Sequence, residues 1–356
     1  MQSPLVSIVI ATYNSAGTLE LVLQSIKKQK YKPIDIIVLD GGSTDETLQI
    51  AREYKCRIYQ NKRVQPTYAK HVGFLKAKGK YVVFLDSDEV LGSVDSIKKK
   101  VSCLEREKDV VAVTPVGYKD PKNYPFINRY INEFGDPFSF FIYRLSKNHK
   151  YYLRSMIFRY LVVKKTKDYV VFDLSQENNL PIIELAAMGS MLDKSFFLTK
   201  CPEVTKVPEL IWHTFYLLNK NQKLIAIAKD DPIFHYSATS LKRYLRKINW
   251  RIILNVYLQK DYALAGFSGR NNYQKGFYSF KKYLFLPYVF LLLPVLFDSL
   301  YLSFTRRNFC YLIHLILSFW TAFLITYHFV RKQFGLSYKL PAYGVNLCMF
   351  YQVFLI

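Results

Sequence analysis

The chain has 356 residues, of which 51% are hydrophobic and 17% aromatic, and its formal net charge is +23. That length allows one large domain plus further elements, and the apolar fraction is rich for a purely soluble enzyme. The charge points to an anionic partner: phosphorylated substrate, acidic lipid or nucleic acid.

The five cysteines, Cys56, Cys103, Cys201, Cys310 and Cys348, are scattered without a Cys-x-x-Cys pair. They fit reduced thiols, not a disulfide frame or a zinc site. Met1 to Pro4 lead directly into a strand, so no cleaved signal peptide is expected.

Residues 5–14 form a short apolar run ending in the polar turn Thr12-Tyr13-Asn14. Leu19, Val22, Leu23 and Ile26 then recur at helical spacing, with Lys27, Lys28 and Lys30 where cations suit the helix dipole. After Pro33, Ile34–Asp40 reads as a second buried strand. It runs into Gly41-Gly42-Ser43-Thr44-Asp45-Glu46, a glycine turn with helix-capping residues. A third strand is expected at Arg57–Gln60 and a helix over residues 68–78. Next comes Gly79-Lys80-Tyr81-Val82-Val83-Phe84-Leu85-Asp86-Ser87-Asp88-Glu89, an apolar strand that ends in carboxylates. Ligands of open α/β sheets sit beyond the carboxyl ends of the strands. Asp86 and Asp88, two apart, would share a face of an extended chain and suit Mg²⁺ or Mn²⁺. Strand and helix alternate four times, which predicts a doubly wound, mostly parallel sheet.

The motifs around Ser7–Asn14, Val38–Asp45, Ala69–Gly73 and Phe84–Asp88 resemble, in order and spacing, the nucleotide-sugar half of the family 2 glycosyltransferases, which have the GT-A fold. The resemblance implies that Thr12, Tyr13 and Asn14 line base and ribose and that Asp40 hydrogen-bonds the base. It also implies that Asp86 and Asp88 carry the metal that bridges a diphosphate. Asp45 and Ser43 are explained equally by turn and cap chemistry. Where such enzymes have Arg-Asn, this chain has Lys70-His71, which keeps the charge of a phosphate or base contact but loses the forked geometry.

The resemblance weakens after the first third. Val110–Pro115 is a further strand, and residues 124–169 interleave Phe and Tyr with Arg and Lys. Such interleaving suits a bilayer surface or single-stranded nucleic acid, and the apolar segments downstream favour the membrane, with no nucleic-acid partner. A packed helical insert is the plainer reading. The family's acidic pair, whose carboxylate takes the acceptor proton, is reduced here to Glu209 after Pro208, with Glu203, Asp193 and Glu184 as alternatives. Asp230–His235 resembles the closing strand, where His235 would be a third metal ligand beside Asp88.

Leu241, Leu245, Ile248, Ile252 and Val256 form one stripe of a helix whose other faces carry Lys242, Arg243, Arg246, Lys247 and Arg251. Its natural partner is an anionic membrane surface, or alternatively a protein groove. Residues 283–304 and 309–330 are apolar for about one bilayer thickness each. They make a hairpin around Arg306-Arg307, spanning or re-entrant, with both ends in the cytosol.

The expected organisation is a nucleotide-sugar-binding half (1–115), an acceptor half with the aromatic and basic insert (116–238), a basic amphipathic interfacial region (239–280), two transmembrane or re-entrant helices (281–333) and a tail (334–356). The resemblance implies a metal-dependent inverting glycosyltransferase at the cytoplasmic membrane, its catalytic domain facing the cytosol. It would move one sugar from a nucleotide donor, a UDP-sugar favoured, to a lipid-linked acceptor. The Gln-x-x-Arg-Trp motif of the processive synthases is absent. A polyprenyl-phosphate sugar synthase, a nucleotidyltransferase and a catalytically degenerate scaffold of the same fold are the alternatives.

Overall fold

The computed structural model describes residues 3–257 and 266–336. The first half alternates as expected: β1 (Val6–Thr12), α1 (Ala16–Lys27), β2 (Ile34–Asp40), α2 (Thr47–Glu53), β3 (Arg57–Gln60), α3 (Pro66–Lys76) and β4 (Tyr81–Asp86). Strands β1, β2 and β4 are rich in Val, Ile and Leu because helices cover both faces of a parallel sheet, whereas β3 lies at its edge. Helix α3 lies so close to β1 that a Cβ on Gly73 would stand 2.2 Å from Val9 Cγ1.

The chain continues through β5 (Glu89–Leu91), α4 (Ser96–Arg106), β6 (Val110–Thr114), β7 (Gly117–Lys119), α5 (Phe126–Phe134), α6 (Pro137–Tyr143), α7 (Tyr152–Arg159), β8 (Leu161–Lys165) and β9 (Tyr169–Asp173). Then come β10 (Ser190–Asp193), α8 (Lys194–Lys200), a 3₁₀ turn at Pro208–His213, α9 (Thr214–Lys220), β11 (Leu224–Ala228) and β12 (Pro232–His235). The nine-stranded sheet has the order β3-β2-β1-β4-β10-β6-β11-β9-β8. Strands β1 to β4 are parallel, and β10 runs antiparallel between β4 and β6. A second sheet has the order β5-β12-β7; its β5 follows the turn after β4 and its β12 ends at His235.

The insert over residues 124–169 is packed protein. Phe134, Phe140, Phe141, Tyr143, Tyr152 and Tyr160 are buried, while Phe158 is exposed. Interior packing, not a bilayer surface, accounts for most of its aromatic rings.

The C-terminal part comprises α10 (Leu241–Tyr257), α11 (Phe267–Asn271), α12 (Phe277–Phe280), α13 (Phe285–Phe290), α14 (Leu293–Thr305) and α15 (Ile313–Gln333). The basic amphipathic helix forms as α10, but protein covers its apolar stripe. Tyr244, Ile248, Ile252 and Val256 share a core with Tyr130 and Phe134 of α5 and with Leu317 and Leu324 of α15. Farther along, His328 Nε2 meets Asn249 Oδ1 at 2.8 Å and Lys332 Nζ donates to Val256 O at 2.6 Å.

The segment Phe309–Gln333 is long and apolar enough to cross a membrane, and Phe277–Phe290 with Leu293–Thr305 forms a pair bent by 89°. A crossing α15 would carry α10 with it. Each cation at the centre of a span costs about 2.5–3.5 kcal/mol, so the five on α10 would cost on the order of 10 kcal/mol. The turn between α14 and α15 is also held on the catalytic part. Arg306 Nε donates to the fully buried Glu133 Oε1 at 2.6 Å and its guanidinium lies 3.8 Å from the Tyr151 ring centroid. The apolar segment at residues 345–356 lies outside the described residues.

Candidate active site

Three turns meet at the carboxyl rim, each following a buried strand. The turn after β1 carries Asn14, whose backbone is left-handed (φ 45°) and whose Oδ1 accepts from Thr44 N at 2.8 Å. Its neighbour Ser15 touches Ser87 hydroxyl to hydroxyl at 2.9 Å, joining this turn to the Asp86-Ser87-Asp88 turn. Asp40, at the end of β2, is buried and accepts four hydrogen bonds: Thr12 Oγ1 (2.9 Å), Ser43 Oγ (2.5 Å), Gly42 N (2.8 Å) and Ser43 N (2.8 Å). Those bonds fill its acceptor positions. The glycine turn alone therefore explains Asp40, and a contact with a base would have to displace one of them. Asp45 accepts from Ala16 N and Thr47, which together outweigh its burial and hold its carboxyl below the usual range. Its role is the turn and cap chemistry read as one of its two alternatives.

Asp86 and Asp88 part company. Strand β4 ends at Asp86, so the two-residue alternation does not carry through to Asp88. Asp86 Oδ1 pairs with Lys70 Nζ. Lys70 is fully buried and lies 4.5 Å from the ring centroid of Trp212, whose Nε1 donates to Thr67 Oγ1 at 2.7 Å. Asp88 Oδ2 instead stands 3.6 Å from His235 Nε2. His235 Nδ1 meets Asn132 Oδ1 at 2.8 Å, and a carboxamide oxygen only accepts. Nδ1 therefore carries a hydrogen, and Nε2 is the nitrogen turned toward Asp88: it pairs with the carboxylate when it too is protonated, and in the neutral ring it presents a lone pair. Burial would raise Asp88, but His235 and Lys247 outweigh it and hold the carboxyl below the usual range.

Among the described residues no three His, Cys, Asp or Glu side chains converge as a metal group. What the rim offers is a carboxylate and an imidazole nitrogen, with Asp86 two residues away on Lys70. The carboxylate oxygens fit Mn²⁺ or Mg²⁺ with positions left for substrate oxygens.

Two groups at this rim escaped the sequence reading. Glu89 is fully buried and accepts from Asp86 N (2.9 Å), Met188 N (2.8 Å) and Tyr118 Oη (2.7 Å), while the Tyr118 ring stacks on His235 at 4.6 Å. It clips the Asp86–Asp88 turn to the segment entering β10, where Met188 and Gly189 are both left-handed (φ 61° and 65°). Burial and the Asp86 charge push Glu89 up to about 7. The signal was an acid directly after Asp-x-Asp. Lys247 comes from α10 and donates to Ser237 Oγ at 2.8 Å. Burial and Arg251 push it down to about 8, against the opposing pull of Asp88 and Asp86. The basic helix thus turns one cation toward the carboxylates.

Glu209 lies half-buried in the 3₁₀ turn Pro208–His213. Residues three apart eclipse in such a turn, so it shares a face with Trp212 and lies on the Lys70 side of the rim. Its charge acts on His71, whose Nε2 is 3.1 Å from Thr205 O. The alternatives are placed less well. Asp193 pairs in register with Tyr81, at the far end of β4, and caps α8. Glu184 sits on Lys147 at 2.9 Å; burial would raise it, but Lys147 and Arg270 hold it down at about 2, too weak a base for neutral pH. Glu203 is exposed.

A parallel-rich sheet with three polar turns and an acidic turn at its carboxyl rim defines an α/β protein of the GT-A type. The mannosyltransferase PcManGT from Pyrobaculum calidifontis, in complex with GDP-Man and Mn²⁺, shares this fold with a TM-score of 0.50 at 12% identity, over 95% of this chain and 89% of that one. The family model for Glycosyl transferase family 2 matches residues 7–167. The chain is 37% identical over 109 residues to the UDP-Glc:alpha-D-GlcNAc-diphosphoundecaprenol beta-1,3-glucosyltransferase WfaP of Escherichia coli, covering 29% of this chain and 43% of that protein. It is 31% identical over 108 residues to the GalNAc(5)-diNAcBac-PP-undecaprenol beta-1,3-glucosyltransferase of Campylobacter jejuni, covering 28% and 35%. The matched stretch spans less than half the length of either relative.

Proposed function

We propose that this chain is a membrane-bound inverting glycosyltransferase that moves a single sugar from a nucleotide sugar, a UDP-sugar favoured, to a lipid-linked acceptor. The observation that carries the reading is the rim itself: Asp88 beside an imidazole whose tautomer Asn132 fixes, next to a nucleotide-type turn that Ser15 and Ser87 join. The lipid-linked acceptors named for the two curated relatives support the acceptor class.

Thr12, Tyr13 and Asn14 line the nucleotide, and Asp40 holds the turn beneath it. Asp88 and His235, with Asp86 adjoining, would hold Mn²⁺ or Mg²⁺, which would supply positive charge for the departing diphosphate. Lys247 adds a fixed cation on the same side, and Lys70 keeps Asp86 oriented. Glu209 takes the proton from the acceptor hydroxyl as that oxygen attacks the anomeric carbon and the bond to the diphosphate breaks. One displacement of this kind inverts the anomeric centre. The active site faces the cytosol, where nucleotide sugars are made, with the protein at the cytoplasmic membrane.

A degenerate scaffold is the second reading, because one acid stands where the family has two. A panel of nucleotide sugars offered with extracted lipids tests both, reading nucleoside diphosphate release and the anomeric configuration of the product. Turnover that Glu209→Gln abolishes supports the proposal. No release from any donor, or release of pyrophosphate, would overturn it.

A further inference from the structure

We propose that the C-terminal helices seat the protein in a single leaflet, lying in the membrane plane without crossing it. The inference rests on the membrane-bound reading above and specifies how the bilayer is engaged.

The exposed face is apolar and continuous in pattern. Helices α13 and α14 meet in an 89° elbow, and its apex residues Leu291 and Leu293 are 68% and 73% exposed. On α15 the outward residues Ile316, Phe319, Phe323 and Val330 fall on one side of the helix, in line with Leu312 just before it. The opposite side is taken up by protein: His314 meets Tyr130 Oη at 2.5 Å, and His328 meets Asn249 at 2.8 Å. One end of α15 is thus fixed to α5 and the other to α10. The turn that a spanning hairpin would expose across the membrane is instead pinned to the catalytic part, because Arg306 and Tyr311 both donate to the buried Glu133.

A helix with one apolar face outward and its other face on a basic domain matches an interfacial element, which sinks about 5–10 Å into one leaflet. Lys281 and Lys282 precede the elbow, Arg307 is exposed at the turn, and Arg331 and Lys332 end α15. These cations border the apolar face and favour anionic headgroups. A second copy is a poorer occupant, since two chains of charge +23 repel when brought face to face.

The test uses the full chain and sealed vesicles of phosphatidylcholine, with or without phosphatidylglycerol. Vesicle partition is expected to rise with phosphatidylglycerol and to fall at least about tenfold in Leu291→Glu and Leu293→Glu, which put charge into the apolar face. Arg307→Cys, in a background with the other cysteines replaced by serine, is expected to react with an impermeant maleimide as fast before permeabilisation as after. Protection of that thiol until the vesicles are opened would overturn the proposal, as would unchanged partition of both glutamate variants with loss of a dimer instead. Nucleoside diphosphate release by the same variants is read separately. A chain that seats as described but turns over no donor would sink the proposed activity and leave this inference standing.

Discussion

Replacing Asn132 by leucine separates what the rim needs for stability from what it needs for chemistry. Asn132 is fully buried and makes three contacts: its Oδ1 with His235 Nδ1 at 2.8 Å, and its Nδ2 with Asp120 Oδ1 at 3.1 Å and His235 O at 3.3 Å. Two of those partners are served elsewhere, because Arg129 pairs with Asp120 at 3.0 Å and Asn128 Nδ2 donates to His235 O at 3.0 Å. Only the His235 Nδ1–H is left without an acceptor. One buried orphan costs about 1–3 kcal/mol, so urea denaturation of Asn132→Leu should show a loss in that range, not three times it. The chemistry should suffer more. Without its acceptor the imidazole is free to place its proton on Nε2, which removes the lone pair facing Asp88. Loss of such an outer partner typically costs 10–100-fold in metal affinity or activity. The assay is nucleoside diphosphate release as a function of Mn²⁺, with the half-saturating Mn²⁺ rising by that factor. Asn132→Asp, which keeps an acceptor for Nδ1, should recover much of the loss at greater cost to stability, since it sets a second carboxylate against Asp120. Unchanged Mn²⁺ dependence in a folded Asn132→Leu protein would refute the reasoning.

Three further outcomes follow from buried charges. Glu184 is held at about 2 against an ordinary value of 4.5, so its stabilising contribution is complete above pH 4.5 and disappears as pH falls through 2. The difference in stability between the parent and Glu184→Gln, measured by denaturation from pH 7 downward, should shrink by up to about 3 kcal/mol over that window. Arg306→Leu strands the buried Glu133 carboxylate; Ser146 and Tyr311 still donate to it, so the loss should fall near the lower end of the roughly 3–5 kcal/mol typical of a broken buried pair. Lys247→Ala should lower donor turnover on the order of 100-fold, the scale of one preorganised donor at a developing charge, with unfolding shifted little.

The first half of the fold was legible because a parallel sheet covered on both faces leaves Val, Ile and Leu runs, each stopped by a polar turn. Strands β1, β2 and β4 fall where those runs stand, and β3 is the short edge strand Arg57–Gln60. The second half is harder to read: β10 is four residues long and enters antiparallel, and β8 carries Lys164 and Lys165 because it lies at the sheet edge. Hydrophobic spacing on α10 located its apolar face but carried no information on what covers it, and α15 is 56 residues downstream of the end of α10 at the start of the helix. The residue types at the site were visible, their pairings were not. Lys70 meets Asp86 across 16 residues and His235 meets Asn132 across 103, and only the folded sheet brings such groups together.

Asp88 and His235 are proposed to hold a divalent cation under the leaving diphosphate. Equilibrium Mn²⁺ binding by the parent chain and by Asp88→Ala, each with and without UDP, tests it most directly. One Mn²⁺ per parent chain is expected, tightened by UDP, with loss of that site in Asp88→Ala and the fold intact. Equal, UDP-dependent Mn²⁺ binding by the two proteins would contradict it.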